Sequence, residues 1–466
     1  DHLGGGFARY AVDREWLVPH FEKMLYDQAA LVSIYRQAYS VFGNAQYRQV
    51  VDETIGYVLR DLTHPDGGFY SAEDADSVIA PGDRHGVEGR FYTWTPEEVR
   101  AAFAGLAMPD GSPIDLAEIM AWFDVTDAGN FDEPGPDHPG GAPGAGGRRS
   151  VLNRLSHRND EWTPRPAHIA AARQRLFEVR NRRPRPGLDD KVLTEWNALF
   201  LYALADAAAA FQRDDWKQAA VRNGEFLLAE LRGPDGRWMR SWHADGEPRA
   251  RHGALAADHA ALVLAFLRVA ELTGESRWVT AATDTADTML DWYFDPVDGG
   301  LFTTAEDAES LVVRQKDLHD GAVPSANSNA ARALLRLATF TGELRYRNQA
   351  DRILALLGAV AAKQPGAVSN AMIAVDTRNR PSFEVVISGD RPDLVKVAQV
   401  LWRPEVTLLW GEPTDSPLWA GRTEHGADGR AYVCRDTVCD APVTTPEALY
   451  EKLTGRPVPD GQQLNL

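Results

Sequence analysis

The stretch that decides the fold is residues 1–31, DHLGGGFARYAVDREWLVPHFEKMLYDQAAL, in which a glycine-rich loop leads into an apolar helix. Three consecutive glycines, Gly4 to Gly6, allow the backbone to turn tightly or to approach a ligand closely. Aromatic and charged side chains follow, and a helix from about Glu22 to Phe42 is apolar on nearly every side. Because an all-round apolar helix is an interior helix, the loop predicts the wall of a pocket at the mouth of a buried helix.

The same arrangement recurs along the chain as a repeated helical hairpin. The sequence DGGF at 66–69 has a close copy, DGGL, at 298–301 and a weaker one, DGRW, at 235–238. Four apolar helices are predicted at 22–42, 194–212, 257–273 and 327–341, and the amphipathic helix after each at 47–62, 216–231, 278–294 and 346–361. Since apolar helices alternate with amphipathic ones, we predict that the hairpins close into a ring with the apolar helices inside.

The pattern changes after about residue 375, where strand and helix signals replace the helical hairpins. Strands are predicted at 382–388, 405–410 and 430–434, and helices at 393–401 and 446–453. This is a small β-α-β unit without a Gly-x-Gly-x-x-Gly turn, so no dinucleotide site is predicted. We therefore predict a helical domain at 1–376, with a flexible Gly- and Pro-rich insertion within 124–165, and an α/β domain at 377–466.

Composition restricts the classes of partner. The 466 residues carry a net charge of −18 and a pI of about 5.1, which disfavours binding to nucleic acid or to an anionic membrane surface. No apolar run reaches the length of a membrane-spanning helix, and two cysteines in the whole chain fit a reducing cytoplasm. Because the chain opens at Asp1 in mid-motif, we expect it to be a fragment whose helical domain is truncated at its N-terminus.

Polar residues near the starts of the apolar helices would gather at one mouth of the ring. Carboxylates and imidazoles placed there could act as general acids and bases, and aromatic rings could stack on a sugar. The predicted catalytic residues are His20, Glu22, Asp76, Asp190, Asp258 and Asp320. The predicted substrate-binding residues are Arg9, Tyr10, Trp16, Asp74, Glu88, Trp94, Trp196, Asn197, His259 and Asn327.

Structural roles remain open for several of these residues. Asp258, Ser325 and Asn327 could simply cap helix N-termini, and the tryptophans could be core or rim aromatics. His20 and His259 occupy matching places in two repeats, which favours a proton-transferring pair, although a lone histidine is more often structural.

The two cysteines give no metal prediction. Cys434 and Cys439 form a C-x4-C motif with His425 nearby, but zinc needs another ligand and tighter spacing. We predict two thiols in a strand and turn, paired or free, with no metal ion and no cofactor.

Several of these stretches resemble one family. GGGFARYAVDREWLVPHFEKMLYDQA, GGFYSAEDADS, EGRFYTW, DDKVLTEWNAL, DGAVPSANS and AYVCRDTVC are similar to the thioredoxin-fused helical toroid family of the spermatogenesis-associated type. The resemblance implies an (α/α)6 toroid like that of N-acylglucosamine 2-epimerases and six-hairpin glycosidases, and a thioredoxin-like domain ahead of it in the full-length chain. Two departures are Glu195 with Ala198, where Ser or Ala and Gly are expected, and His259, where the family usually has Tyr.

Two functions follow as hypotheses. The first is a carbohydrate-active or carbohydrate-binding toroid, similar to sugar epimerases and isomerases or to glycosidases, with a sugar-like small molecule as its ligand. The second is a non-catalytic scaffold or client-binding module that works with the fused thioredoxin-like redox domain.

Overall fold

A computed structural model describes residues 1–107, 114–133, 147–157, 165–245, 249–309, 312–401, 403–422, 426–436 and 438–458. The chain divides into two compact units: unit 1 comprises residues 1–63 and 70–190, and unit 2 comprises residues 64–69 and 191–466. The domain boundary predicted at 376 lies within unit 2 and stays a prediction. Much of the predicted insertion at 124–165 lies outside the described residues.

Unit 1 combines helices with short strands. Its described helices are α1 (Leu25–Phe42), α2 (Ala45–Asp61), α3 (Pro96–Phe103), α4 (Leu116–Trp122) and α5 (Ala167–Arg180). Its described strands are β1 (Tyr10–Ala11), β2 (Pro19–His20), β3 (Lys23–Met24), β4 (Ala72–Glu73), β5 (Asp76–Ser77), β6 (Val87–Glu88), β7 (Phe131–Asp132), β8 (Arg148–Arg149) and β9 (Leu188–Asp189). The strands pair antiparallel as β1–β2, β3–β4–β9, β5–β6 and β7–β8.

The first hairpin forms as predicted, but its leading helix is not buried all round. Gly43 ends α1 in the left-handed conformation (φ 66°), and Asn44 caps α2 by accepting a hydrogen bond from the Gln46 N–H. The face of α1 that includes Leu25, Ala29 and Val32 is buried. The opposite face exposes apolar side chains, namely Ile34, Val41 and Phe42. The interior position predicted for this helix is therefore wrong for one of its faces.

Unit 2 holds most of the helical hairpins. Its described helices are α6 (Thr194–Phe211), α7 (Asp214–Glu230), α8 (Ala256–Thr273), α9 (Ser276–Tyr293), α10 (Ala326–Thr341), α11 (Leu344–Ala361), α12 (Ser369–Asn379), α13 (Pro392–Val400) and α14 (Pro446–Thr454). Its described strands are β10 (Val192–Leu193), β11 (Met239–Trp242), β12 (Ala250–Gly253), β13 (Phe383–Ile387), β14 (Val406–Trp410), β15 (Ala431–Arg435) and β16 (Val438–Cys439).

The alternation of buried and amphipathic helices is confirmed in unit 2. Helix α8 packs between α6 and α10 and has almost every side chain buried, because its sequence is Ala- and Leu-rich on all sides. Helix α9 instead buries one stripe, which includes Trp278, Ala282 and Met289. The predicted class is confirmed: the chain is mainly α, built from helical hairpins of the (α/α)-toroid kind, with a small C-terminal α/β unit.

The α/β unit is a four-stranded mixed sheet in the order β14–β13–β15–β16. Strand β13 is central: it pairs in parallel with β14 on one side and antiparallel with β15 on the other, and all five of its residues are buried. Helices α13 and α14 cover the sheet through Leu394 and Leu449. No described helix is both long and apolar enough to cross a bilayer.

Side-chain amides fix three of the glycine loops to helices that lie later in the chain. The Phe69 N–H donates to Asn197 Oδ1 at 2.8 Å, and Asn197 Nδ2 donates back to the Phe69 carbonyl at 2.9 Å. Asn327 makes the same pair of bonds with Leu301, at 2.7 and 3.0 Å, and Gln28 makes it with Phe7, at 2.8 Å each. We call this arrangement the amide clamp. It satisfies both backbone groups of a residue that directly follows two glycines.

We expect Asn197→Ala to lower the free energy of unfolding by about 2–4 kcal/mol, because the buried N–H and C=O of Phe69 lose their partners. Urea denaturation of the variant and the wild type would measure the change. Asn348→Ala, at an exposed position of α11, is the matched control and should change the stability by less than about 0.5 kcal/mol. Equal stabilities of the two variants would contradict the clamp.

Candidate functional site

The hairpin of β1 and β2 presents an aromatic and an imidazole ring at the surface of unit 1. Tyr10 and His20 are register partners, and their rings stack with centroids 5.1 Å apart. Trp16 lies in the turn between the strands with φ at 62° and is 80% exposed. Sequence analysis predicted Tyr10, Trp16 and His20 for the site, and the structure shows Tyr10 and His20 in contact.

His20 is held between two carboxylates. Its Nδ1 lies 2.8 Å from Glu88 Oε1, and its Nε2 lies 3.6 Å from Glu22 Oε2. An ionised carboxylate only accepts hydrogen bonds, so Nδ1 carries the proton and donates to Glu88. The lone pair of a neutral ring is then on Nε2, and an imidazolium formed there would be stabilised by Glu22.

The position of Glu88 depends on the glycine after it. Glu88 lies in β6, and Gly89 has φ at 74°. A Cβ at Gly89 would come within 2.5 Å of the Phe21 ring, next in sequence to His20. The motif EGRFYTW therefore needs this glycine so that Glu88 can approach His20.

Further carboxylates surround this cluster. Arg9 donates to Glu22 at 3.1 Å. Burial raises the pKa of Asp27 to about 6, with Glu22 adding to the effect and Arg9 opposing it. Asp76 is the register partner of Glu88, and its pKa is raised by burial and by the charges of Asp74 and Glu88. The site is therefore rich in carboxylates, with one arginine.

Unit 2 contains a second polar cluster at the starts of α6 and α8. Arg240 in β11 lies 3.1 Å from Glu195 Oε2 and 2.8 Å from Asp258 Oδ1, and the Glu195 N–H also donates to Asp258. Burial raises the pKa of Glu195 to about 7, and the Asp258 charge adds to this, with Arg240 acting in the other direction. A buried carboxyl that titrates near neutral pH can donate or accept a proton.

Several predicted site residues make structural hydrogen bonds. Asn197 and Asn327 are fully buried clamps whose amides are engaged with backbone groups, which favours a structural role, and their contact with substrate stays a prediction. Asp320 Oδ1 accepts a hydrogen bond from the Ser325 N–H, at the start of α10. Its Oδ2 accepts one from the Asn370 N–H, at the start of α12. Ser325 caps α10, which confirms the alternative interpretation for this residue. The carboxylate of Asp258 also caps, since it accepts the Leu255 N–H at 2.7 Å.

The predicted equivalence of His20 and His259 is wrong. His20 lies in β2, ahead of α1, whereas His259 lies in the first turn of α8 and is fully buried. His259 Nδ1 bonds the Leu255 carbonyl at 2.9 Å, four residues back, as Asn197 bonds Leu193. Burial lowers the pKa of His259 to about 4, so its ring is neutral at pH 7.

The remaining predicted residues differ in their burial. Trp94 is fully buried and the Arg183 guanidinium lies 4.1 Å from its ring, which favours a core role, and its stacking on a sugar stays a prediction. Trp196 is half-buried in the first turn of α6. Asp190 is exposed immediately after β9. That all the predicted residues share one mouth stays a prediction.

Sequence reasoning missed Asp27 and Arg240 and did not select Glu195. Asp27 and Glu195 are both in first helical turns, where an acidic residue passes as a favourable charge at a helix N-terminus. Arg240 lies on the β11–β12 hairpin, which was not predicted. The sequence WMRSW at 238–242 lacks the strict apolar–polar alternation that would have indicated a strand. Within the described ranges, no group of three or more His, Cys, Asp or Glu could hold a metal ion.

We expect the stability of the wild type to fall relative to Glu195→Gln as the pH rises from about 4.5 to 7. The raised pKa means that the folded state prefers the protonated carboxyl, so its stabilisation is complete below the unfolded pKa and is lost as pH rises through about 7. Glutamine stays neutral throughout. Relative to Glu195→Gln, the free energy of unfolding of the wild type should fall by on the order of 3 kcal/mol over this pH range, as measured by urea denaturation.

Glu306→Gln, at an exposed side chain, controls for changing the net charge by one. Parallel stability profiles for the wild type and Glu195→Gln would contradict the assignment of a raised pKa.

Comparison with solved structures finds sugar-converting proteins, although at low similarity. A D-mannose isomerase is 13% identical with a TM-score of 0.35, over 75% of this chain and 79% of that one. A sugar epimerase from a ruminal bacterium is 11% identical with a TM-score of 0.40, over 77% and 81%. At these TM-scores the likeness says nothing about the activity of this chain. No family model matches it.

Comparison with curated sequences finds clear relatives. Spermatogenesis-associated protein 20 of Homo sapiens is 33% identical over 479 residues, which cover 97% of this chain and 60% of the human protein. Its counterpart in Mus musculus is 30% identical with the same coverage. The chain thus spans about 60% of the length of these relatives. Over nearly all of its own length the chain is a homologue of spermatogenesis-associated protein 20, which confirms the family that its motifs indicated.

Proposed function

We propose that the chain is a carbohydrate-active protein in which His20 transfers a proton to or from a bound sugar. The observation that supports this most directly is the imidazole of His20, partly exposed and oriented by Glu88 through Nδ1, with Nε2 on the side of Glu22. A carboxylate that fixes the tautomer of a histidine is an arrangement suited to general acid–base catalysis.

The chemistry follows from the tautomer. Nε2 would accept a proton from the carbon next to a sugar carbonyl, and Glu22 would stabilise the imidazolium that results. Return of the proton to the same carbon from the other face gives epimerisation, and its delivery to the neighbouring carbon gives isomerisation. Asp76, with its raised pKa, could supply a second acid, and the same pair of groups would serve glycosidic hydrolysis.

The charges favour a neutral ligand. Glu22, Asp27, Asp76 and Glu88 outnumber the single guanidinium of Arg9 in this cluster. Phosphorylated or carboxylated sugars would be repelled, whereas the hydroxyls of a neutral sugar could donate to these oxygens. Tyr10 and Trp16 offer exposed rings on which the apolar face of a sugar could stack.

We expect binding of neutral aldoses, ketoses or disaccharides, and weaker binding of sugar phosphates, in a thermal-shift screen confirmed by calorimetry. For a sugar that binds, proton NMR in D2O would detect deuterium at the carbon next to the carbonyl if the chain epimerises or isomerises it. Hydrolysis would instead release a new reducing end. Either result supports proton transfer, and together they distinguish the two reaction types.

His20→Gln should lower kcat/KM of that turnover by about 10²–10⁴-fold because it removes the proton acceptor. Glu88→Gln should cost less, since Glu88 positions the ring and does not itself take the proton. His85→Gln, at an exposed residue of unit 1, is the matched control and should retain full activity. An unchanged rate in His20→Gln, or no sugar bound by the wild type, would refute the proposal.

The second hypothesis, a non-catalytic scaffold or client-binding module that works with a fused thioredoxin-like redox domain, is supported by the exposed apolar face of α1. Ile34, Val41 and Phe42 are 55%, 56% and 72% exposed. Exposed apolar patches of this kind often contact another protein. Loss of a co-purifying partner in Val41→Ser with Phe42→Ser, together with full binding in His20→Gln, would favour this function over the first.

A further inference from the structure

We propose that Cys434 and Cys439 form a redox-exchange site: a protein dithiol reduces their disulfide by attack at Cys439, and Arg422 stabilises the sulfur that leaves. No residue of this site belongs to the His20 cluster, so the inference does not depend on the proposed sugar chemistry.

The site is built on the β15–β16 hairpin. Cys434 and Cys439 are register partners on the two antiparallel strands and are joined by a disulfide. Cys434 is fully buried between β13 and β16, whereas Cys439 lies on the exposed edge strand next to Val438, which is 76% exposed. An incoming thiolate therefore has access to the sulfur of Cys439 and is excluded from that of Cys434.

A guanidinium lies against both sulfurs. Arg422 donates through one terminal nitrogen to Cys439 Sγ at 2.9 Å and to Cys434 Sγ at 3.2 Å. The Tyr432 ring lies 4.9 Å from the same guanidinium and helps to hold it. Arginine stays protonated at every accessible pH, so it would stabilise a thiolate on either cysteine.

A buried carboxylate near Cys434 makes the positive charge of Arg422 important for stabilising a thiolate. Glu384 on β13 is the register partner of Cys434 and is buried. Because register partners project to the same side of a sheet, a thiolate on Cys434 would form near a carboxylate. The positive charge of Arg422 would offset that repulsion, which a disulfide with a purely structural role would not require.

The reaction balances as a two-electron exchange. A thiolate of the partner attacks Cys439 Sγ, the Cys434–Cys439 bond breaks, and its electron pair stays on Cys434 as a thiolate beside Arg422. The second thiol of the partner loses its proton to water and attacks its own sulfur in the mixed disulfide. Cys439 leaves as a thiolate, the partner becomes a disulfide, and the chain becomes a dithiol after taking protons from water.

The test uses the oxidised 466-residue chain with bacterial thioredoxin as the probe, recycled by thioredoxin reductase and NADPH. We expect one NADPH to be consumed per chain while circular dichroism stays native. Arg422→Ala should slow the reduction about fivefold to tenfold, because the leaving thiolate loses its cation. Arg435→Ala is the matched control, because it removes an exposed arginine from β15, the strand that contains Cys434. It should change the rate less than twofold.

The point of attack is tested with a thioredoxin whose second cysteine is replaced by serine. The mixed disulfide that it traps should map to Cys439 by peptide mass analysis, and this readout needs no variant of the chain. Arg422→Lys keeps the charge and should retain more of the rate than Arg422→Ala. Reduction only after unfolding, equal rates in the wild type and Arg422→Ala, or trapping at Cys434 would each overturn the proposal.

Discussion

The structure depends on one recurring hydrogen-bonded arrangement, the amide clamp between a glycine loop and a helix later in the chain. A loop of two glycines has few side-chain contacts of its own, and the residue after it would bury an unpaired N–H and C=O. Gln28, Asn197 and Asn327 satisfy both groups at Phe7, Phe69 and Leu301. The clamp therefore sets where each loop ends, and with it the position of polar residues near the helix start.

Two polar clusters are placed near these helix starts, and their environments differ. In unit 1 the groups around His20 are partly exposed and keep contact with water. In unit 2 Glu195 and Asp258 are buried against Arg240, so burial dominates their proton affinity. The first environment suits reversible proton transfer to a ligand that arrives from solvent. The second suits a network that is assembled once, during folding, and keeps α6 and α8 together.

The helices could be predicted from the sequence because their period is local. The hairpins of 194–212 with 216–231 and of 257–273 with 278–294 were found within two residues of their ends, since Gly turns and apolar stripes mark them. The β11–β12 hairpin and α12 were missed, because short elements with mixed polarity carry little periodic signal. The exposed face of α1 could not be foreseen either, since burial depends on what packs against a helix and not on its composition alone.

The site was predictable only in part, because the sequence does not show which side chains come into contact. The EGRFYTW and PHF motifs indicated Glu88 and His20, and the structure places these two side chains in contact. The structural contacts of the asparagines could not be foreseen, because a buried amide that binds backbone and one that binds a ligand look the same in sequence. Arg240 carries charge into a region that sequence alone gave no reason to place near Asp258.

The assignment of residues 64–69 to unit 2 has a practical consequence for dissecting the protein. These six residues lie between α2 and β4 of unit 1 along the chain, yet they pack with unit 2, where Asn223 bonds the Gly67 carbonyl and Asn197 holds Phe69. Neither unit is one continuous piece of polypeptide. A clone that starts at residue 191 would lack Gly67 and Phe69, so Asn223 and Asn197 would lose their backbone partners. Subcloning at that boundary therefore cannot yield a complete unit 2.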